Sequence, residues 1–392
     1  VSSAKSDACA QPPADRPLAG LTVVELGHSV AAPFGGQVLA DLGARVVKIE
    51  KPELGDDARC WGPPFWHGAS SMFQAINRNK LSAAVDLKDE AQRSALLRFI
   101  VDEADIVLQN MRAGLLDKLG LGADALRAAK SSLIICNLSA FGAKGPLSDR
   151  PGYDPLMQAF GGIMSITGEP GRPPVRTGPS IIDQGAGMWA VIGILSALHR
   201  RGATGDGAIV DTSLLETALS WMNSPTAGWL ATGNVPGKRG SEQASLVPYK
   251  VFTAADGDIM IACGNDNLFR RLATALGRTD WLDDSRFASN PDRVCNRDVV
   301  NAAVQEIIST RTVAAWSDLL ERAGVPAAPL QTVDQVAKHP QTEALGILQP
   351  VPGSDMTLIG LPLSFDGTRP PLTQGPPKLG EHTGLIIEGD KS

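Results

Sequence analysis

The stretch LTVVELGHSVAAPFGGQVLADLGARVVKIE, residues 21–50, decides the fold. LTVVEL (21–26) is an apolar run of strand length, Pro33 to Leu42 reads as a helix, and RVVKIE (45–50) is a second strand. Outward from it the rhythm continues. LSAAVDL (81–87), DIVLQN (105–110) and SLIICNLS (132–139) are strand-like, with helical patterns at 89–101 and 122–129 between them. Such alternation predicts an α/β fold: an open parallel Rossmann-like sheet with helices on both faces. Ligands of such sheets bind beyond the carboxyl ends of the strands, and function is to be sought there.

The first of those ends reads LGHSVAAP, not GxGxxG, so the dinucleotide fingerprint is missing and a nicotinamide enzyme is not expected. The chain has 392 residues, 43% hydrophobic and 20% charged, which suits one elaborate domain or two. A formal charge of -6 argues against nucleic acid as a partner. Cys9, Cys60, Cys136, Cys263 and Cys295 are odd in number and without CxxC spacing, as expected of reduced thiols in a cytoplasm. No apolar run approaching a membrane span is read, and residues 1–17 are read as a flexible arm. His28, His67, His199, His339 and His382 never fall at metal-ligand spacing, and neither HExxH nor GxSxG occurs. No metal is expected. Carboxylate chemistry is left.

PSIIDQGAGMWAVIGILSALHRR, residues 179–201, holds the acid of most interest. Its apolar run ends in Arg200 and Arg201, as a buried helix with a cationic last turn would. Asp183 lies at the start of the run, where a helix cap or first-turn acid belongs. A second reading rests on Gly185 and Gly187, which lack a Cβ and would let another molecule approach. A carboxylate at a helix N-terminus is expected to stay ionised and could attack an acyl group. Local sequence leaves both readings open.

Lys51, after the second strand, could meet a phosphate or only water, and Arg78, Lys80, Lys88, Arg112 and Lys118 lie near other strand ends. Tyr153 and Asp154, in RPGYDPLMQ, read equally as a turn or as site residues. In the second half, ASLVPYKVFTAADGDIMIACG gives a strand pair turning at Ala255, Asp256 and Gly257, followed by helical patterns at 266–276, 297–309 and 313–323.

The segment 18–59, NRNK at 77–80, AFGAKGPLSDRPGYDPLMQAFGGIMSITGEP, IIDQGAGM and KLGEHT at 378–383 together resemble the class III CoA-transferases, the family of formyl-CoA and carnitine-CoA transferases. The resemblance implies that Asp183 is a nucleophile: it attacks an acyl-CoA, forms a mixed anhydride, and then carries CoA as an aspartyl thioester. Coenzyme A is substrate and product, and no other cofactor is implied. Matching segments carry CoA contacts to Val30 and Ala31, Lys51, Val85, Asp86, Leu87 and Lys88, Asn110, Met111 and Arg112, and Lys118. Arg150 lies one residue out of register with a basic contact of the family, and Tyr153 and Asp154 fall beside it. The family further implies a large Rossmann-like domain at 18–225, a smaller α+β domain at 226–325, a return to the large domain at 326–392, and an interlocked homodimer.

Formyl-CoA transferase carries a glycine run in its small domain where this chain has GSEQASLVPYK, 240–250, which counts against oxalate or formyl substrates. GDDARCWGPPF, NRNK and LVPY resemble the dicarboxylate branch, with succinyl-CoA a donor and a dicarboxylic acid an acceptor. Arg78, Arg176 and Arg239 are candidate partners for a distal carboxylate. Two alternatives stand beside this reading. One is proton transfer as in acyl-CoA racemases, weakened because no histidine lies between His67 and His199. The other is a CoA-binding protein without catalysis.

Overall fold

The computed structural model describes residues 16–387. Residues 1–15 of the expected arm, Cys9 among them, lie outside the described residues. The chain divides into two compact units, the first formed by residues up to 163 with 176–232 and 340 onward, the second by 164–175 and 233–339. Residues 164–175, read as part of the large domain, fall in the second unit, and the return to the first comes at 340, not 326.

The first unit is built on six strands: β1 (Thr22–Leu26), β2 (Arg45–Glu50), β3 (Lys80–Ala84), β4 (Ile106–Gln109), β5 (Ile134–Ser139) and β6 (Ile209–Ser213). All pairings are parallel, in the order β3-β2-β1-β4-β5-β6. The order reverses between β1 and β4, where an open α/β sheet forms its ligand crevice. β6 was not foreseen. It is an edge strand with alternate residues exposed, so no continuous apolar run marks it.

Helices α1 (Ala31–Asp41), α2 (Glu90–Glu103), α3 (Ala123–Ala129), α4 (Asp154–Phe160), α5 (Ile181–Thr204) and α6 (Leu214–Trp221) surround the sheet. Side chains alternate between its faces. Val23, Val46 and Ile106 pack with α1 and α5, whereas Val24, Val47 and Val107 pack with α2 and α3. Contrary to expectation, α5 is 24 residues long with a mean hydropathy of 1.5 over its most apolar stretch, enough to cross a membrane by length and composition alone. Its apolar character has a core function: Ile182, Ala186, Ala190 and Ile194 are buried in the same cluster as the sheet.

The outer edge of β3 is closed by the last described segment of the chain. Ser82 N donates to His382 Nδ1 (3.2 Å), His382 N donates to Ser82 O (2.8 Å), and Ala84 N donates to Thr383 Oγ1 (2.9 Å). Asn79, just before β3, accepts through Oδ1 from the amides of Thr373 and Gln374.

In the second unit β7 (Tyr249–Thr253) and β8 (Asp258–Ala262) form the expected hairpin, and β9 (Ala327–Pro329) joins β8 on its other side. Helices α7 (Asp266–Ala275), α8 (Arg297–Ile308) and α9 (Val313–Arg322) fall close to the predicted spans. Phe269, Trp281 and Phe287 stack in this unit's core.

Candidate active site

A cleft of about 510 Å³ opens at the carboxyl ends of the sheet in the first unit. His28, Ser29 and Ala31, between β1 and α1, form one wall; Asn110, Met111 and Arg112, after β4, form another. Arg150, Tyr153 and Asp183 complete it on the side of α5. Four acids line the cleft, and of these Asp117, Asp149 and Asp211 are exposed. Asp183, 9% exposed, is the buried one.

The local reasons for that position are visible. Ser180 is the N-cap of α5 and makes no side-chain cap bond. The free amides of the first turn are taken by another residue: Asp154 Oδ2 accepts from Ile182 N (2.7 Å) and Asp183 N (3.2 Å). Gln158 Nε2 donates to Asp154 Oδ1 (2.5 Å), and Gln158 Oε1 accepts from Thr177 N (2.9 Å). Asp154 is therefore the cap, supplied from α4, and it leaves the carboxylate of Asp183 unused and facing the cleft.

Two expectations are corrected. The helix terminus was expected to keep Asp183 ionised. Burial, with the Asp154 carboxylate beside it, instead raises the Asp183 carboxyl from 3.8 to about 7. The glycines after it were expected to leave room for a bound molecule. A Cβ on Gly185 would meet Trp221 at 2.7 Å and Thr217 at 2.8 Å, and one on Gly187 would meet Ala31 O at 2.7 Å and Gly35 N at 3.0 Å. They are packing glycines. Gly187 lets α5 approach the first turn of α1, which sets the helix that carries Asp183 against the β1–α1 loop.

Of the expected CoA contacts, Ala31, Asn110, Met111, Arg112, Arg150 and Tyr153 share the cleft with Asp183. Others are not brought to it. Val30 and Val85 are 3% and 2% exposed, so their side chains belong to the core. Lys51 is exposed and pairs loosely with Asp57 at 3.5 Å. Asp86 accepts from Lys88 N (2.9 Å) in a turn with half-buried Leu87, and Lys88 itself is exposed away from the cleft wall. Lys118 ends a one-turn helix, is exposed, and is not among the residues that line the cleft. Asp154 is spent on capping and on Gln158. Arg78 is 3% exposed and donates to Asp41 (2.6 Å), so it is not free for a substrate carboxylate. Arg176 is exposed and donates to the Thr177 and Gly178 carbonyls, and Arg239 is exposed in the second unit.

The sequence reading missed His28 and Ser29. His28 lines the cleft, its ring Nδ1 lies 3.0 Å from Ser29 Oγ, and burial lowers its pKa below the ordinary value, which favours the neutral imidazole. Their signal was position alone: they follow the strand that borders the switch point. Gln109 and Asn137 were missed as well. Gln109 Nε2 donates to Asn137 Oδ1 (2.8 Å), and Asn137 Nδ2 donates to Asp211 Oδ1 (2.9 Å), forming a ladder along the cleft floor.

Comparison with known proteins agrees with this architecture. The chain is 39% identical to the acetyl-CoA:oxalate CoA-transferase of Acetobacter aceti over 367 residues, covering 93% of each chain. It is 37% identical to the succinate–glutarate CoA-transferase of Agrobacterium fabrum, covering 95% of each, and 31% identical to the human succinyl-CoA:glutarate CoA-transferase, covering 95% of this chain and 86% of that one. A crystal structure of a CAIB/BAIF family protein from Brucella suis superposes with a TM-score of 0.85 at 38% identity, over 95% of this chain and 99% of that chain. The family model described as CoA-transferase family III matches residues 18–383, and the chain belongs to that family.

Proposed function

We propose that the protein moves coenzyme A from an acyl-CoA to a free carboxylic acid through covalent intermediates on Asp183. The carrying observation is that carboxylate: buried, free of hydrogen-bond partners among the described residues, and facing the cleft. Asp183 attacks the thioester carbonyl carbon, the C–S bond breaks, and CoA leaves as its thiolate while a mixed anhydride forms. The thiolate attacks the Asp183 carbonyl carbon of the anhydride and expels the donor acid as a carboxylate, leaving an aspartyl-CoA thioester. The acceptor carboxylate attacks that thioester and expels the thiolate, giving a second anhydride. Thiolate attack on the acceptor's acyl carbon releases the new acyl-CoA and restores Asp183. No net proton or electron is consumed. Each acylation removes a negative charge from a desolvated position beside Asp154, so the groups that raise the pKa of Asp183 also favour its attack.

Arg112 and Arg150 are assigned to the phosphates of CoA, and Tyr153 to the wall beside the thioester. For substrates we infer a dicarboxylic acyl group, with succinyl-CoA as donor, on the strength of the succinate–glutarate and succinyl-CoA:glutarate relatives and of a succinyl-CoA–D-citramalate CoA-transferase 36% identical to this chain. The acetyl-CoA:oxalate relative removes the ground for setting oxalate aside. A homodimer is proposed too, because Met188, Trp189, Ile192 and Leu195 form an exposed apolar face on α5. A reducing compartment suits Cys60, Cys136, Cys263 and Cys295, all free.

The test is incubation with succinyl-CoA and a panel of free acids, with the new thioesters identified by mass. Hydroxylamine should trap the wild-type acyl-enzyme. Asp183→Ala should abolish exchange while CoA binding persists; full exchange in that variant would overturn the assignment.

A further inference from the structure

We propose that Asp56, anchored by the buried Lys48, is a positioning residue of the cleft that holds Ser29 in a left-handed backbone conformation. The inference rests on reading the cleft as the acyl-CoA site. Ser29 has φ 67°, a region that glycine enters freely and other residues rarely occupy. Such a conformation persists only where its surroundings impose it. Here both peptide groups flanking His28 are held at both ends. Lys48 Nζ donates to Gly27 O (2.6 Å), and Asn110 Oδ1 accepts from His28 N (3.0 Å). Asn110 Nδ2 donates to His28 O (2.9 Å), and Asp56 Oδ1 accepts from Ser29 N (2.9 Å).

The clamp is itself braced. Asp56 Oδ1 also accepts from Ala58 N (2.9 Å), and its Oδ2 lies 2.8 Å from Lys48 Nζ. Lys48 is fully buried and pairs as well with Glu25 Oε1 at 2.9 Å. Burying these charges costs desolvation that an apolar cluster of the same volume would avoid, so stability alone does not account for them. Apolar side chains could not hold the Gly27 carbonyl or the Ser29 amide. The residues so fixed, His28 and Ser29, form the cleft wall that shares the site with Asp183.

The experiment measures CoA binding by calorimetry on the full chain. Asp56→Ala removes the acceptor for Ser29 N, and Asp56→Asn removes the same charge but keeps an acceptor. Asp56→Ala should weaken CoA binding about tenfold more than Asp56→Asn, and adding Ser29→Gly to Asp56→Ala should return binding to within about threefold of Asp56→Asn, because glycine needs no clamp at this φ. Equal weakening in the Ala and Asn variants, or no recovery with glycine, would overturn the proposal. If Asp56→Ala does not fold, recovery of folded protein in the Asp56→Ala/Ser29→Gly double variant carries the same weight, and its failure the same refutation. A wild-type chain that binds no CoA would refute the reading of the cleft; binding that ignores Asp56 would refute only the clamp.

Discussion

Replacing Asp183 by Asn should make the protein more stable, increasingly so as pH rises. The carboxyl ionises near 3.8 in an unfolded chain and near 7 in the fold, because burial and then the Asp154 charge oppose the anion. The folded state therefore holds the proton more tightly. Between the two values unfolding releases it, so stability falls as pH rises from about 4 and the loss is complete above about 7. At about 1.4 kcal/mol per tenfold change in acidity, the full loss is about 4 kcal/mol, an upper bound because water in the cleft relaxes part of it. Asn carries no charge and surrenders no hydrogen bond that the carboxylate makes. Urea denaturation followed by circular dichroism should show the stability margin of Asp183→Asn over wild type growing by about 2 kcal/mol between about pH 5 and about pH 8. A variant less stable than wild type at the higher pH, or a margin equal at both, would refute the electrostatic account of this site.

The same ionisation should govern the rate: kcat/KM rises with pH to a plateau above about 7, and Asp154→Asn moves the midpoint lower by removing the like charge; a profile flat across neutrality contradicts this. Gly187→Ala should lower stability by about 1–3 kcal/mol in thermal melting, since its Cβ would lie 2.7 Å from Ala31 O, and an unchanged melting temperature would show that α1 and α5 separate freely. Arg112→Ala and Arg150→Ala should each raise KM for acyl-CoA about tenfold in a salt-sensitive way, whereas Lys51→Ala stays within about twofold. Equal effects at all three would place the phosphates elsewhere.

The chain's central βαβ unit was legible because apolar runs at 21–26 and 45–50 leave no other economical fold, and both strands lie within a residue of those spans. β6 was not, since one open face leaves it too few apolar positions. Asp183 could be picked out by its place in the sequence. Its electrostatics could not, because the residue that takes its helix amides lies 29 positions earlier on another helix. Gly185 and Gly187 were misread for a related reason: an absent Cβ signals a close approach without saying by what, and here the neighbours are α6 and α1. Val30 was chosen where Ser29 faces the cleft. That difference turns on one positive φ, which the sequence does not announce for a serine.

The closure of β3 by residues 373–383 has a consequence for how the protein is made. The strand and the groups that satisfy its outer amides are about 300 positions apart. During synthesis the sheet can assemble from β1, β2 and β4 long before the closing segment leaves the ribosome, and through that interval β3 presents an unpaired edge. Contacts this distant also slow folding. Truncation ahead of His382 should accordingly be felt less at the cleft than in aggregation of newly made chains, where an exposed strand edge recruits its own kind.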